Sequence, residues 1–167
     1  MPGTGDVERL AREGAERAGG AEAARALLRK ERVGVLSTLS LRHPGWPYGT
    51  LVPYALSARG EPLLLLSGLA QHTQNLEADP RATLLVFDGA AAAEDPRTSP
   101  RVTLVGRIQR VDAAGEPEAR DRYLAWHGSA RGLLQLDFSL YALEVDEAQF
   151  VGGFAAAGFF PGAALRE

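Results

Sequence analysis

The chain has 167 residues, of which 46% are hydrophobic, and this size and composition predict one globular domain with a substantial core. A formal net charge of −3 argues against a general nucleic-acid binder, and the absence of cysteine excludes disulfides and thiolate metal sites. The sequence contains no apolar run of about 18 residues and no basic-then-apolar signal region at its start, so we expect a cytoplasmic protein without a membrane span.

The N-terminal segment is predicted to be helical. Apolar residues recur at helical spacing over residues 6–31, and Gly19-Gly20 is expected to divide this helix in two. We therefore divide the chain into a helical or flexible extension, residues 1–20, and a folded domain, residues 21–167.

Strands dominate the remainder of the sequence. Apolar and β-branched segments predict strands over residues 33–40, 50–57, 62–67, 82–88, 101–111, 138–145 and 148–154. Short helices are expected over 71–78 and 116–127, and the proline-containing segment 90–100 is expected to be a loop. Pro53 is expected at a sheet edge or bulge, and Gly106 at a bend. Six or seven short strands with few helices predict a mainly β, α+β fold built on a closed antiparallel barrel, which hides its strand edges.

Motifs for metal binding and for common catalytic sites are absent from the sequence. The three histidines, His43, His72 and His127, show neither HxxxH nor HExxH spacing, so no metal site is expected. The sequence contains no G-x-S-x-G elbow, no dinucleotide-binding or phosphate-binding glycine loop and no evident carboxylate pair. No catalytic acid or base can therefore be named.

The segment from Ser67 to Asn75 is the strongest candidate site. A buried strand ends at Ser67-Gly68, and His72, Thr73 and Asn75 follow at the start of a helix. Free N–H groups and the helix dipole favour an anion at such a position, and hydroxyl and imidazole groups add donors. The alternative is that Thr73 or Asn75 simply caps the helix.

Arg101 and three aromatic residues allow two interpretations each. Arg101, at the start of an alternating strand, is either an anion clamp or a solvated strand-end arginine. Trp46, Tyr48 and Trp126 lie beside turns and belong either to the core or an interface, or to a surface that stacks on a ligand.

Four segments in this order resemble a known family. They read STLSLRHPGWPYGTLVPYAL, PLLLLSGLAQHTQNLEADPRATLLV, PRVTLVGRIQRV and FSLYALEVDEAQFVGGF. Their order and spacing resemble the FMN-binding split-barrel family of pyridoxamine 5'-phosphate oxidase-like proteins. The similarity is greatest to the branch of haem-utilisation (HugZ-like) proteins and cellular-repressor glycoproteins, and it covers residues 22–155.

The resemblance implies a six-stranded antiparallel split β-barrel with flanking helices, which forms a homodimer with two flavin sites across the interface. It places the FMN phosphate at Ser67, His72 and Thr73, with Asn75 in the same helix. It places the isoalloxazine along the preceding strand, beside Tyr48, Gly49, Thr50, Leu51 and Val52. Arg101 would reach the site too, often from the partner chain.

The expected function is that of an FMN-binding protein, and any enzyme activity would be a flavin-dependent oxidoreduction with a small electron donor and acceptor. Pyridoxamine phosphate is not the expected substrate, because His72-Thr73 stands where true oxidases carry Arg-Lys. One alternative is a haem-binding protein with a histidine as axial ligand. Haem breakdown is not expected, because the HugZ-like oxygenases have a further C-terminal domain and this sequence stops at Glu167. The other alternative is a cofactor-free dimeric binding module.

Overall fold

A computed structural model describes residues 19–152 and 157–166 of the chain. Residues 1–18, most of the predicted extension, lie outside the described residues, so the domain boundary at residue 20 stays a prediction. Helix α1 covers residues 19–30. The further helices are α2 (Gln71–Ala78), α3 (Gly89–Glu94) and α4 (Glu116–Trp126), with 3-10 helices η1 (Gly128–Gln135) and η2 (Gly162–Leu165).

Seven strands form one antiparallel sheet in the described part of the chain. They are β1 (Val33–Leu39), β2 (Pro47–Leu56), β3 (Pro62–Ser67), β4 (Arg81–Phe87), β5 (Arg101–Arg110), β6 (Phe138–Val151) and β7 (Ala157–Pro161). Their order is β3-β2-β1-β4-β5-β6-β7, and an additional β3–β6 pairing closes the first six strands of the chain into a barrel. The predicted six-stranded antiparallel barrel with flanking helices is therefore confirmed, and β7 is an extra strand that the sequence did not predict.

The long strand β6 holds the barrel together because it has different neighbours along its length. Its first residues pair with β3, and its last residues, Glu147–Val151, pair with β7. β5 lies along the other side of β6, with a register shift between Val105 and Gly106. The prediction of a separate strand over 148–154 was wrong, because this ladder continues through residue 151.

Segment 90–100, predicted as a loop, contains the short helix α3. Asp88 is its N-cap, and the Asp88 side chain accepts a hydrogen bond from the backbone N–H of Ala91 at 3.0 Å. Four consecutive alanines follow Gly89, and alanine has the highest helix propensity. The cap and this run together explain why a helix forms here.

Two hydrophobic clusters stabilise the fold. The larger one fills the barrel, and α1 packs against it through Ala24, Leu27 and Leu28. The smaller one lies on the outer side of β3 under α4, where Leu63 and Leu65 pack with Tyr123. β3 is thus buried on both faces, which explains the uninterrupted leucine run in its sequence.

Pro53 and Gly106 occupy the kinds of position that the sequence predicts. Pro53 pairs with Val33 of β1, whereas the β3 register covers only Tyr54, Ala55 and Leu56, so Pro53 lies on an edge segment of β2. Gly106 lies at the register shift. A Cβ atom on Gly106 would come within 1.9 Å of the Glu144 carbonyl oxygen, so only glycine allows the two strands to approach this closely.

Within the described ranges, no helix combines the length and apolar character needed to cross a membrane.

Candidate functional site

Two parts of the chain that are distant in sequence meet at one end of the barrel: the β1–β2 turn, and the end of β3 with the helix α2 that follows it. Ser67 ends β3 and pairs with Phe138, the first residue of β6. The turn between β1 and β2 is closed by Trp46, whose N–H donates to the His43 carbonyl at 3.0 Å. The backbone N–H of Leu41 in this turn donates to Asn75 Oδ1 of α2 at 3.0 Å. These contacts define the candidate site, which consists of the end of β3, helix α2 and the β1–β2 turn.

Asp137 occupies the position at which the sequence predicts a bound anion. The Ser67 hydroxyl donates a hydrogen bond to Asp137 Oδ2. The Leu69 N–H lies 3.3 Å from the same oxygen and 3.2 Å from Ser67 Oγ, and the Gly68 N–H donates to the Asp137 carbonyl at 3.0 Å. The Ser67 hydroxyl, followed by the neighbouring N–H groups, lowers the pKa of Asp137. The donors at the end of β3 therefore face an exposed carboxylate of the same chain, which is ionised at neutral pH.

Thr73 is fully buried, and its hydroxyl has no hydrogen-bond partner among the described residues. Its backbone N–H donates to the carbonyl of Ala70 at 3.0 Å. Ala70 is the N-cap of α2, and no side-chain hydrogen bond caps the described helix. The capping alternative for Thr73 and Asn75 was therefore wrong, and the Thr73 hydroxyl is not open to solvent.

Asn75 connects α2 to the barrel. The side chain is fully buried, and its Nδ2 donates to Thr38 Oγ1 of β1 at 2.9 Å. Its Oδ1 accepts from the Leu41 N–H and from Gln71 Nε2, both at 3.0 Å. Because these contacts use both ends of the amide, Asn75 positions the helix and the turn. A direct contact with a ligand would need one of these bonds to break.

The three histidines have different surroundings. His72 is half-buried in the first turn of α2, and this burial lowers its pKa, so the imidazole is neutral near pH 7. His43 is exposed in the β1–β2 turn. His127 is the C-cap of α4, with its Nε2 atom 2.7 Å from the Tyr54 carbonyl oxygen and its ring centroid 4.9 Å from that of Tyr123. His72 thus adds no full positive charge to an anion site at neutral pH.

The predicted isoalloxazine residues do not form one surface, because side chains alternate between the two faces of β2. Tyr48 and Thr50 share a face with Val52, which is only 3% exposed and lies in the barrel core. Gly49 and Leu51 lie on the outer face, and Leu51 is 69% exposed. A planar ring on either face would contact only part of the predicted set.

Arg101 lies at the opposite end of the barrel from Ser67. Arg101 pairs with Val151, the last residue of β6, whereas Ser67 pairs with Phe138, the first. The Arg101 guanidinium donates through Nη1 to the Ser99 carbonyl at 3.1 Å. Within one copy of the chain, Arg101 lies away from the candidate site. That Arg101 reaches the site from a partner chain stays a prediction.

Large apolar side chains are exposed around the candidate site. We define the apolar rim as Leu41, Trp46, Leu69 and Leu136, which are 50%, 70%, 80% and 65% exposed. Grouped exposed apolar surface of this kind marks interaction or ligand sites. Of these four residues, sequence reasoning singled out only Trp46, and it also missed Asp137. The sequence did contain a signal for the rim, because leucines stand in turn segments where polar residues are usual.

The residues present do not fit the FMN phosphate as the resemblance placed it. Ser67 is engaged with a carboxylate, His72 is neutral, and the Thr73 hydroxyl is enclosed. A phosphate dianion would need these donors free and a positive potential around them.

Comparisons with known proteins agree with the fold and identify relatives. The family model described as "CREG, beta-barrel" matches residues 15–160. The non-canonical heme oxygenase HOZ of Arabidopsis thaliana, described as chloroplastic, is 37% identical over 138 residues, which cover 81% of this chain and 41% of the relative. The structure of a heme binding protein from Mycobacterium smegmatis superimposes with a TM-score of 0.80 at 34% identity, covering 87% of this chain and 59% of that chain.

A Clostridium acetobutylicum protein of the pyridoxinephosphate oxidase family superimposes with a TM-score of 0.66 at 13% identity, covering 86% of this chain and 95% of that chain. At this identity, the similarity shows only that the two proteins share a fold. The chain spans only 41% of the plant relative and 59% of the mycobacterial protein. The closed barrel and the family match over residues 15–160 together establish that the chain belongs to the CREG β-barrel family, whose fold is the split barrel of pyridoxamine-phosphate-oxidase-like proteins.

Proposed function

We propose that this chain is a haem-binding protein. Haem binding was one alternative in the sequence analysis, and we prefer it to FMN binding. The observation that carries the proposal is the similarity, at 37% and 34% identity over more than four fifths of the chain, to proteins named for heme oxygenase activity and heme binding. The site supports it because its phosphate donors are engaged internally while its surroundings are apolar.

The residues of the site suit the two chemical requirements of haem. A haem needs an apolar surface for its macrocycle, and the apolar rim supplies one. It also needs an axial ligand, for which a neutral imidazole is the commonest choice in globins and peroxidases. Burial keeps His72 neutral, and His72 lies three residues from Leu69 of the rim, so His72 is the preferred ligand. A bound haem would supply iron able to take up a small ligand such as dioxygen.

His43 is the second candidate for the axial ligand, because it lies in the β1–β2 turn together with Leu41 and Trp46. His127 is less suitable, since its Nε2 atom faces the Tyr54 carbonyl and its ring packs against Tyr123. The three imidazoles therefore give a ranked set that substitutions can separate.

Titration with hemin tests the proposal. The purified chain should give a Soret band distinct from that of free hemin and saturate at a defined stoichiometry. His72→Ala should weaken hemin binding about 10-fold or more, which corresponds to about 1.4 kcal/mol, whereas His43→Ala should leave it close to wild type. If only His43→Ala weakened hemin binding, the axial ligand would be His43 in the β1–β2 turn. Absence of any shifted Soret band in the wild type would refute haem binding.

An FMN-dependent oxidoreductase is the second candidate function. One observation favours it: the buried Thr73 hydroxyl has no partner within the described structure. A phosphate oxygen would satisfy this hydroxyl if the start of α2 shifted to open the enclosure around Thr73. The visible spectrum of the protein separates the candidates, since flavin bands support FMN and a Soret band supports haem. A protein that binds neither added FMN nor added hemin would support the cofactor-free binding module.

A further inference from the structure

The carboxylate beside Ser67 has a consequence for ligand selection at the same site. We infer that Asp137 is a specificity-determining residue, whose carboxylate takes the place of a ligand phosphate and thereby excludes FMN. The inference deepens the proposed function and rests on it, because it explains why a split barrel of this kind would accept a ligand other than a phosphorylated flavin.

The carboxylate of Asp137 occupies the donors at the end of β3. Asp137 Oδ2 accepts the hydrogen bond of the Ser67 hydroxyl and lies 3.3 Å from the Leu69 N–H. The Ser67 hydroxyl and the N–H groups of the following turn are the strand-end donors that a phosphate group would need. A phosphate can use them only if the carboxylate moves away.

The charge of Asp137 also opposes a phosphate at this position. The hydrogen bonds from Ser67 and the adjacent backbone hold the pKa of Asp137 below its usual value, so the group carries a negative charge at neutral pH. A phosphate at hydrogen-bond distance from Ser67 would therefore lie next to a like charge.

The fold keeps the backbone of Asp137 beside Ser67. Phe138, the next residue, pairs with Ser67 in the β3–β6 ladder, and the Gly68 N–H donates to the Asp137 carbonyl at 3.0 Å. The backbone on the C-terminal side of Asp137 is thus attached to the end of β3. Because the barrel closes through this ladder, the Asp137 backbone stays beside Ser67. The exposed carboxylate can leave only by rotation of its side chain, which breaks its hydrogen bonds to Ser67 and Leu69.

The experiment compares FMN with riboflavin, which has the same ring system and lacks the phosphate. The affinities of both flavins are measured by fluorescence quenching for the wild type, Asp137→Ala and Asp137→Asn. The matched control is Asp121→Asn, which removes one carboxylate from the exposed face of α4 and changes the net charge equally. A thermal melt of each variant establishes that it is folded.

We expect the wild type to bind FMN no more tightly than riboflavin. Asp137→Ala should bind FMN about 10-fold more tightly than the wild type does, or better, with unchanged riboflavin affinity. Asp137→Asn should change in the same direction, and Asp121→Asn should not change. Adding Ser67→Ala to Asp137→Ala should remove the gain, because the uncovered donor is then absent.

Three results would overturn the inference: folded Asp137 variants with no gain in FMN affinity, an equal gain for riboflavin, or a wild type that binds FMN about 10-fold more tightly than riboflavin. The comparison of FMN with riboflavin in the wild type needs no variant, so it tests the inference even if both Asp137 substitutions prevent folding. Hemin titration of the same wild-type sample keeps the two proposals apart. A Soret band without any FMN gain in the variants rejects only the role of Asp137, and an FMN gain without a Soret band rejects only haem binding.

Discussion

Thr73 is fully buried, and its hydroxyl oxygen has no hydrogen-bond partner among the described residues. A buried polar group without a partner costs about 1–3 kcal/mol, and valine has nearly the same shape without the hydroxyl. We expect Thr73→Val to raise the free energy of unfolding of the ligand-free protein by about 1 kcal/mol in urea denaturation.

Thr73→Ser is the matched control for this substitution, because it keeps the hydroxyl and removes only the methyl group. Thr73→Ser should lower the free energy of unfolding, since it leaves a small cavity at a fully buried position. If Thr73→Val were instead destabilising, the hydroxyl would have a hydrogen bond in the folded protein. Lost FMN binding in Thr73→Val would then favour the flavin alternative.

The half-buried imidazole of His72 makes stability depend on pH. Burial lowers its pKa below the usual 6.5, so the unfolded chain takes up a proton at a higher pH than the folded chain does. The stability that the neutral imidazole contributes is therefore fully present above the unfolded pKa and declines as the pH falls from about 6.5 towards the folded pKa. In urea denaturation, His72→Gln should lose less stability than the wild type between about pH 7.5 and pH 5.5.

His43→Gln serves as the control for His72, because it removes an exposed imidazole from the adjacent turn. Its loss of stability over the same pH interval should match that of the wild type. An identical pH dependence in the wild type and in His72→Gln would contradict the role assigned to the buried imidazole.

At the scale of elements, the ladder between β5 and β6 depends on a glycine at its register shift. A Cβ atom on Gly106 would lie 1.9 Å from the Glu144 carbonyl oxygen and 2.9 Å from its carbonyl carbon, and both atoms belong to the backbone. Backbone atoms cannot rotate away as a side chain can, so the strands would have to separate. We expect Gly106→Ala to destabilise the fold by about 3 kcal/mol or more in urea denaturation.

Gly158 provides the matched control within a strand. It lies in β7, and a Cβ atom there would meet nothing within 4 Å. Gly158→Ala should therefore change the free energy of unfolding by less than about 0.5 kcal/mol. A Gly106→Ala variant as stable as Gly158→Ala would show that the ladder rearranges easily around the bulge.

At the scale of the whole molecule, the outer face of the sheet carries a continuous row of mainly apolar residues. In register across six strands, the row contains Leu51, Val35, Leu85, Thr103, Gln149 and Phe159. Leu51 and Phe159 are 69% and 57% exposed, and Val105, one row away, is 43% exposed. An apolar face of this extent supports the predicted homodimer, because association would cover it.

We expect the wild type to be dimeric at micromolar concentration in light scattering and Leu51→Arg to shift it towards the monomer. A buried arginine without a partner within the proposed interface would oppose association. Leu136→Arg is the control, since Leu136 is similarly exposed but lies on the apolar rim. A monomeric wild type would argue against both the dimer and any site that needs Arg101 from a partner chain.

The sequence by itself determined most of the local structure, because local structure depends on patterns within a few residues. The leucine run of β3, the strict alternation of β5 and the polar segment of α2 each predict their element from spacing alone. The positions of Pro53 and Gly106 followed from their backbone chemistry. The order and spacing of these elements were also enough to indicate the split barrel, which the family match confirms.

Only the tertiary structure decided what the candidate site contains. Asp137 reaches Ser67 across 70 positions of sequence, and Arg101 lies at the far end of β6 from Ser67 although both begin or end a strand. Neither fact can be read from spacing, because both follow from the register in which β6 joins β3 and β5. Barrel closure sets that register through long-range pairing, whereas periodicity reports only which face of its own strand a residue occupies.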